Sequence, residues 1–259
     1  MVKRAIIIGA SSGIGQEVAR LLVKDGWTVG VAARRLDRLT AFREELLGEQ
    51  TGATVTVATI DVTKDDAGER LQTLIREMGG MDLFFYAAGI GRQNRELTED
   101  LELATMETNT KGFTRMIGVA FRYFAADTTI SRATPLAQGG RWGHIAAITS
   151  IAGTKGLGPA PAYSATKAMQ NVYLQALEQQ ANSRRLRIHF TDIRPGFVDT
   201  DLLSSNFHYP MLMQPEPVAK EIIDAINRKQ HIRVIDWRFR LMTALWRRIP
   251  RCLWRHLKL

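Results

Sequence analysis

Apolar residues along this chain change their period repeatedly. Residues 3–9 (Lys-Arg-Ala-Ile-Ile-Ile-Gly) form a short continuous apolar run, as expected of a strand buried on both faces of a parallel sheet. After a glycine-rich turn, Val18, Ala19, Leu21, Leu22 and Val23 recur at helical spacing until Asp25-Gly26 stops the helix. The same alternation predicts strands over 29–33, 55–60, 83–87, 143–149, 187–192 and 232–235. Helical stripes fall between them: Leu36, Leu39, Phe42, Leu46 and Leu47, then Leu71, Leu74, Ile75 and Met78. Longer helices are predicted over 110–126 and 163–180. Repeated β–α units imply an α/β fold with a doubly wound parallel sheet, and 259 residues suit one large domain. Residues 127–142 are long and polar for a connection; a surface loop is expected, with a partner contact as the alternative.

Charge divides the chain unevenly. Residues 228–259 hold ten Lys/Arg and one acid, a net of +9, whereas the first 227 residues hold 25 of each sign. Leu241, Met242, Leu245, Trp246 and Ile249 lie on one helical face, and Trp237, Trp246 and Trp254 are three of the five tryptophans. Residues 237–259 therefore form a basic amphipathic tail to a domain of residues 1–236. Three readings are open: docking on the domain or another subunit, attachment to an anionic membrane surface, and nucleic-acid binding. The last is the weakest, since no binding module surrounds the basic residues. The lone Cys252 suits a reducing compartment, and because Met1 leads straight into the first predicted strand no cleavable signal is expected. No apolar stretch approaches a membrane span. A cytoplasmic protein is expected, with the inner face of a membrane as the alternative site. The five histidines are scattered and predict no metal site.

Two local patterns carry chemistry. Gly9-Ala10-Ser11-Ser12-Gly13-Ile14-Gly15 lies between a strand and a helix. Glycines there permit a tight turn and close backbone approach, and the free N–H groups of the helix start can meet a pyrophosphate. Tyr163 and Lys167 are four residues apart, on one helical face, with Ser150 thirteen positions before Tyr163. A neighbouring ammonium is expected to lower the tyrosine pKa, so that the phenol exchanges a proton with a carbonyl or alcohol oxygen. Together these patterns point to an oxidoreductase using a dinucleotide.

From about residue 2 to 200 the chain resembles the short-chain dehydrogenase/reductase family, whose fold is of the Rossmann type. Tyr163, Lys167 and Ser150 match the family's catalytic residues, and Asn109 in Glu-Thr-Asn-Thr-Lys-Gly matches the fourth. Pro195, Gly196, Val198 and Thr200 match its segment beside the nicotinamide, and Asp61-Val62 its adenine-side pair. The resemblance implies that Lys167 also binds the nicotinamide ribose and that Asn109 holds a water linking Lys167 to solvent. It further implies a homodimer or homotetramer, formed through helices 110–126 and 163–180. Phe113, Met116, Phe121, Val172, Tyr173 and Leu177 are the apolar side chains from which that contact would be drawn, some of them facing the sheet. The chain departs from the family at two places. Tyr86-Ala87 stand before Ala88-Gly89 where asparagines are usual, and Ile8 replaces a threonine; altered packing is expected at both.

The second strand ends Ala32-Ala33-Arg34-Arg35, without the acid that would bind both ribose hydroxyls of NAD. Guanidinium groups there favour NADP(H). Arg34 is expected on the 2′-phosphate, Arg35 near the adenine, and Ser11 as an added hydrogen bond. The segment over 201–214, which closes on substrate in the family, offers Leu202, Leu203, Phe207, Tyr209, Met211, Leu212 and Met213. These side chains suit a carbonyl or alcohol on a hydrophobic, lipid-like molecule, or else form the segment's own small core. A cofactor-binding protein with little turnover, docked on a membrane or partner, is the competing class of function.

Overall fold

The computed structural model describes residues 2–203 and 209–257. Phe207, singled out in the sequence, lies outside the described residues. Among the described residues, seven parallel strands form one sheet: β1 (Arg4–Ile8), β2 (Thr28–Ala33), β3 (Val55–Thr59), β4 (Leu83–Tyr86), β5 (Gly143–Ile148), β6 (Ile188–Arg194) and β7 (Ile232–Val234). Their order is β3-β2-β1-β4-β5-β6-β7. The chain winds outward from β1 to β3 and then restarts on the other side at β4. The crevice between the carboxyl ends of β1 and β4 is the switch point at which such sheets bind ligands.

Alternation within the strands assigns side chains to two cores. Ile6, Ile8, Phe84 and Tyr86 face one side, where they meet α3 (Ala67–Glu77) and α5 (Phe113–Ala126). Ala5, Ile7, Val29, Val31 and Phe85 face the other, against α1 (Gly13–Lys24), α2 (Leu36–Glu49) and α7 (Pro215–Asn227). Tyr86 is fully buried and meets Phe113 edge-on at 5.1 Å, so this departure from the family is a matter of packing. Ile8 is likewise buried in the sheet. Residues 127–142 are pinned down by Arg141, whose guanidinium bridges Asp127 and Asp82 at 2.5 and 2.7 Å.

The helix expected to begin near residue 110 starts earlier. It runs as α4 (Glu99–Met106), a π-helical segment Glu107–Gly112, and then α5. Helix α6 spans Pro161–Ser183. Of the side chains named for subunit contact, Phe113, Met116 and Phe121 are buried in the protein's own core, whereas Val172 on α6 is exposed.

The carboxyl-terminal residues form α8 (Trp237–Arg248) and the short α9 (Arg251–Trp254). Phe239 and Thr243 of α8 are buried. The Phe239 ring lies so close to Gly196 that a Cβ there would stand 2.2 Å from it, and it meets Phe197 at 6.2 Å between centroids. Trp254 Nε1 donates to the Gly156 carbonyl at 2.8 Å, and Lys155 Nζ to that of Ile249 at 2.9 Å. The apolar face read from the sequence is therefore split. Met242, Trp246 and Ile249 are half-buried, while Leu241 and Leu245 face outward together with Trp237.

Because Phe239 is wholly buried, Phe239→Ala should destabilise the protein by about 3–5 kcal/mol. Thermal or denaturant unfolding of the full-length variant measures this, and an unchanged midpoint would mean that the tail is not docked on residues 196 and 197.

Candidate active site

The glycine turn closes over the end of β1. Gly9 has φ +91°, and a Cβ on it would lie 2.6 Å from the backbone nitrogen of Ala88 at the end of β4. Gly13, at φ +60°, faces the Thr200 methyl, and a Cβ on Gly15 would strike the Gly9 carbonyl. Only residues without side chains let β1, α1 and β4 approach this closely. Ser12 caps α1 with no side-chain hydrogen bond to the first turn, so the N–H groups of Ile14 and its neighbours are not taken by the cap. A dinucleotide pyrophosphate fits this cradle of backbone donors.

At the end of β2 the two arginines separate. Arg35 Nη2 donates to Ser11 Oγ at 3.0 Å and Ser12 Oγ at 2.9 Å, whereas Arg34 is exposed to solvent. The guanidinium that reaches the glycine turn is thus the second of the pair. Asp201 accepts from Arg35 at 3.4 Å and Arg38 at 3.1 Å, and these two cations hold its carboxyl below the usual range. Arg38 and Asp201 were not among the residues read from the sequence. Asp61 turns back on its own loop, accepting from Thr63 Oγ1 at 2.8 Å, while Val62 is buried against Gly112.

Ser150, Tyr163, Lys167 and Asn109 converge beyond the carboxyl ends of β4 and β5. Ser150 is extended, and its Oγ accepts from Ala152 N at 3.0 Å, which leaves its own proton free to point elsewhere. Its hydroxyl acts on that of Tyr163, drawing the tyrosine pKa down. The start of α6 is held by Glu102, whose carboxylate accepts from Ala162 N at 3.0 Å and from Asn94 Nδ2 at 2.9 Å. On its other side, the Tyr163 ring lies against Gly91, where a Cβ would be 2.4 Å away. Neither Glu102 nor Gly91 carries a local sequence signal, because each acts through a partner more than fifty residues away.

Lys167 is 4% exposed, with Nζ 5.7 Å from the Tyr163 ring centroid. It donates to the Ile148 carbonyl at 3.2 Å and to Gln170 Oε1 at 3.1 Å. Burial pushes its pKa down to about 8, against the opposing field of Asp192. Burial also holds Tyr163 above the ordinary tyrosine value, outweighing the Ser150 hydrogen bond. The direction is opposite to the lowering expected from the lysine alone.

Asn109 lies within the π-helical segment, fully buried. Its side chain accepts from Ile90 N at 2.9 Å and donates to Ile90 O at 2.7 Å, fastening the chain beyond Ala88-Gly89. Its backbone carbonyl accepts from Gln170 Nε2 at 2.7 Å. A π turn is a frequent mark of functional sites and has no composition of its own, so no sequence pattern announces it.

Pro195 and Val198 are buried, and Thr200 Oγ1 donates to Val198 O at 3.3 Å. The segment after Thr200 returns alongside this stretch. Asp199 N donates to Met213 O and Met213 N to Phe197 O, and Tyr209 packs on Phe197 at 5.1 Å. Leu202 and Leu212 are exposed and Met213 packs into the core, so the side chains proposed for substrate divide between rim and support.

A model of the short chain dehydrogenase family matches residues 3–209. The chain is 31% identical over 252 residues to an uncharacterized oxidoreductase of Myxococcus xanthus, covering 96% of this chain and 93% of that one. An alcohol dehydrogenase from Thermococcus sibiricus, complexed with 5-hydroxy-NADP, matches with TM-score 0.76 and 25% identity, over 91% of this chain and 96% of that one. A short chain dehydrogenase/reductase from Burkholderia phymatum in complex with NAD matches with TM-score 0.79, over 94% and 92% of the two chains; at 18% identity this is a likeness of fold. The glycine cradle, the convergent side chains and a family match over most of its length agree: the chain belongs to the short-chain dehydrogenase family and is an oxidoreductase of that type.

Proposed function

We propose that this protein is an NADP(H)-dependent oxidoreductase that interconverts a carbonyl and a secondary alcohol on a hydrophobic, lipid-like molecule. The observation that carries this reading is the convergence of Ser150, Tyr163 and Lys167 beside the glycine cradle. When bound, NADPH supplies the hydride for the substrate's carbonyl carbon. Tyr163 gives its proton to the carbonyl oxygen, and a phenol kept protonated by burial is suited to that direction. Ser150, with its lone pair engaged by Ala152 N, turns its proton toward the same oxygen and stabilises charge developing there. The cofactor would be held by the turn from Gly9 to Gly15, by Lys167, by residues 195–200, and by Asp61-Val62 on the adenine side.

Arg35, rather than Arg34, is the residue we assign to the 2′-phosphate, because it already reaches Ser11 and Ser12. Asp201 occupies the same guanidinium groups, and a phosphate must take its place. The greasy rim formed by Leu202 and Leu212 supports an apolar substrate.

Two kinds of partner complete the reading. Val172 on the outer face of α6 supports a homodimer or homotetramer. Trp237, Leu241 and Leu245 form an exposed apolar stripe on a helix rich in arginine, which supports peripheral attachment to an anionic membrane surface. Among the described residues no helix is long and apolar enough to cross a bilayer.

Three measurements test these assignments. In calorimetric titration, Arg35→Ala should weaken NADPH by about tenfold or more and NADH hardly at all, as expected from losing a charge-assisted phosphate contact. Asp201→Asn should tighten NADPH alone; equal effects on both cofactors would end the NADP assignment.

Tyr163→Phe should slow NADPH-dependent reduction across a panel of apolar ketones by about 10²–10⁴-fold, the worth of a placed proton donor, with NADPH binding close to wild type. Turnover near wild type would remove Tyr163 from the proton transfer.

The full-length protein should co-sediment with anionic vesicles at low salt, less so at high salt and not with neutral ones. Leu241→Glu/Leu245→Glu should abolish that binding. If it instead lowers the mass by light scattering and leaves vesicle binding intact, the stripe is a subunit contact.

A further inference from the structure

We propose that Gln170 is a positioning residue of this active site: its side-chain amide ties the Lys167 ammonium to the carbonyl of Asn109 and so fixes the ammonium beside Tyr163. This rests on reading Lys167 as part of the active site. Gln170 follows Lys167 by three residues on α6, close to one helical turn, and is wholly buried. Its Oε1 accepts from Lys167 Nζ at 3.1 Å, and its Nε2 donates to the Asn109 carbonyl at 2.7 Å. The amide has only this orientation open to it. Reversed, its NH₂ would face an ammonium and its oxygen a carbonyl.

A primary amide buried at a helix position that a leucine could fill carries a desolvation cost, which its hydrogen bonds must offset. Both polar ends of Gln170 are satisfied by groups of the candidate site. Asn109 cannot reach Lys167 with its own side chain, which is committed to Ile90 and Thr166. The carbonyl in the π turn is what it offers to α6, and Gln170 joins that carbonyl to the ammonium. Of the three ammonium protons, Ile148 O and Gln170 Oε1 take two, so the third is directed by elimination toward the cleft and Tyr163.

The link has a chemical consequence. A neutral amide between the ammonium and the carbonyl can hold a charge in place but does not pass a proton along as a water would. Gln170 therefore anchors the ammonium and is not itself a proton route between Lys167 and the Asn109 carbonyl. The family resemblance implied a water held by Asn109; in this chain the Gln170 side chain takes one acceptor position of the Asn109 carbonyl.

The proposal predicts opposite responses to two substitutions. The groups facing Lys167 are Tyr163 from its own helix, the neutral Asn109 from the π turn, Ser150 after β5, and Asp192 from β6. Asp192 is itself paired with Arg194 at 2.8 Å and accepts from Thr149. With Gln170→Leu the charged form of Lys167 loses a hydrogen bond, so its pKa falls below the value of about 8 that burial already imposes. With Gln170→Glu, nearly the same shape, a carboxylate stands next to the ammonium and the pKa rises. The readout is ¹³C NMR titration of Cε-labelled lysine in the full-length protein, with Lys167→Arg identifying the signal. Displacements of about one pH unit in opposite directions are expected. The alkaline limb of NADPH oxidation with the ketone panel should move the same two ways. Titration like wild type in both variants, or displacement in one common direction, would overturn the proposal; should Gln170→Leu fail to fold, the Glu variant decides alone. The titration needs no substrate, so opposite shifts without any ketone reduction would leave Gln170 in its role and refute the proposed activity instead.

Discussion

The arrangement around the site depends on a buried ammonium. Lys167 is almost without solvent, and an unpaired cation so placed would cost several kcal/mol. The fold offsets that cost with groups drawn from separate elements: the last carbonyl of β5, an amide on α6, and the field of Asp192 on β6. Asp192 cannot collapse onto the lysine, because Arg194 and Thr149 already hold it. The lysine keeps a pKa lowered to about 8 while its hydrogen bonds hold it in place. Its position is correct only if β5, β6, α6 and the π turn are all in place together, so the site is a property of the assembled sheet.

Much of this was legible in the sequence because the signals are local. Ile6 and Ile8 alternate with Ala5 and Ile7 within one strand, and that alternation alone fixes two buried faces. Tyr163 and Lys167 share a helix, so four residues of spacing set their relation. Ser150 closely follows the strand that Gly143 begins, and the glycine turn reads directly as strand, turn and helix. Strand β6 runs two residues beyond its apolar pattern because Asp192 and Arg194, which look like surface charges, neutralise one another in the interior.

The rest was illegible for reasons of direction and distance. Side chains at a strand end point alternately, so which of two adjacent arginines reaches the glycine turn depends on where β2 stops; it stops one residue before Arg34, and Arg35 turns inward. Gln170 looks like any polar helix residue until the π turn sixty residues earlier presents a carbonyl to it. In the tail, periodicity identified an apolar face but not its partner. Phe239 and Thr243, outside that face, make the buried contact, because Gly196 offers a space that only a large flat side chain fills well.

The tail is consequently joined to the site on both sides. Helix α8 rests on the segment after β6, through Phe239 on Gly196 and Phe197, and α9 rests on the segment after β5, through Trp254 and Gly156. Those two segments carry Ser150 at one end and the residues from Pro195 to Thr200 at the other. Phe239 and Gly196 are packed too closely for either to shift without the other. Whatever orders residues 195–200 must therefore also favour the docked tail, and by linkage whatever holds the tail must favour that order to the same degree. The exposed stripe of Trp237, Leu241 and Leu245 lies on the opposite side of the same helix.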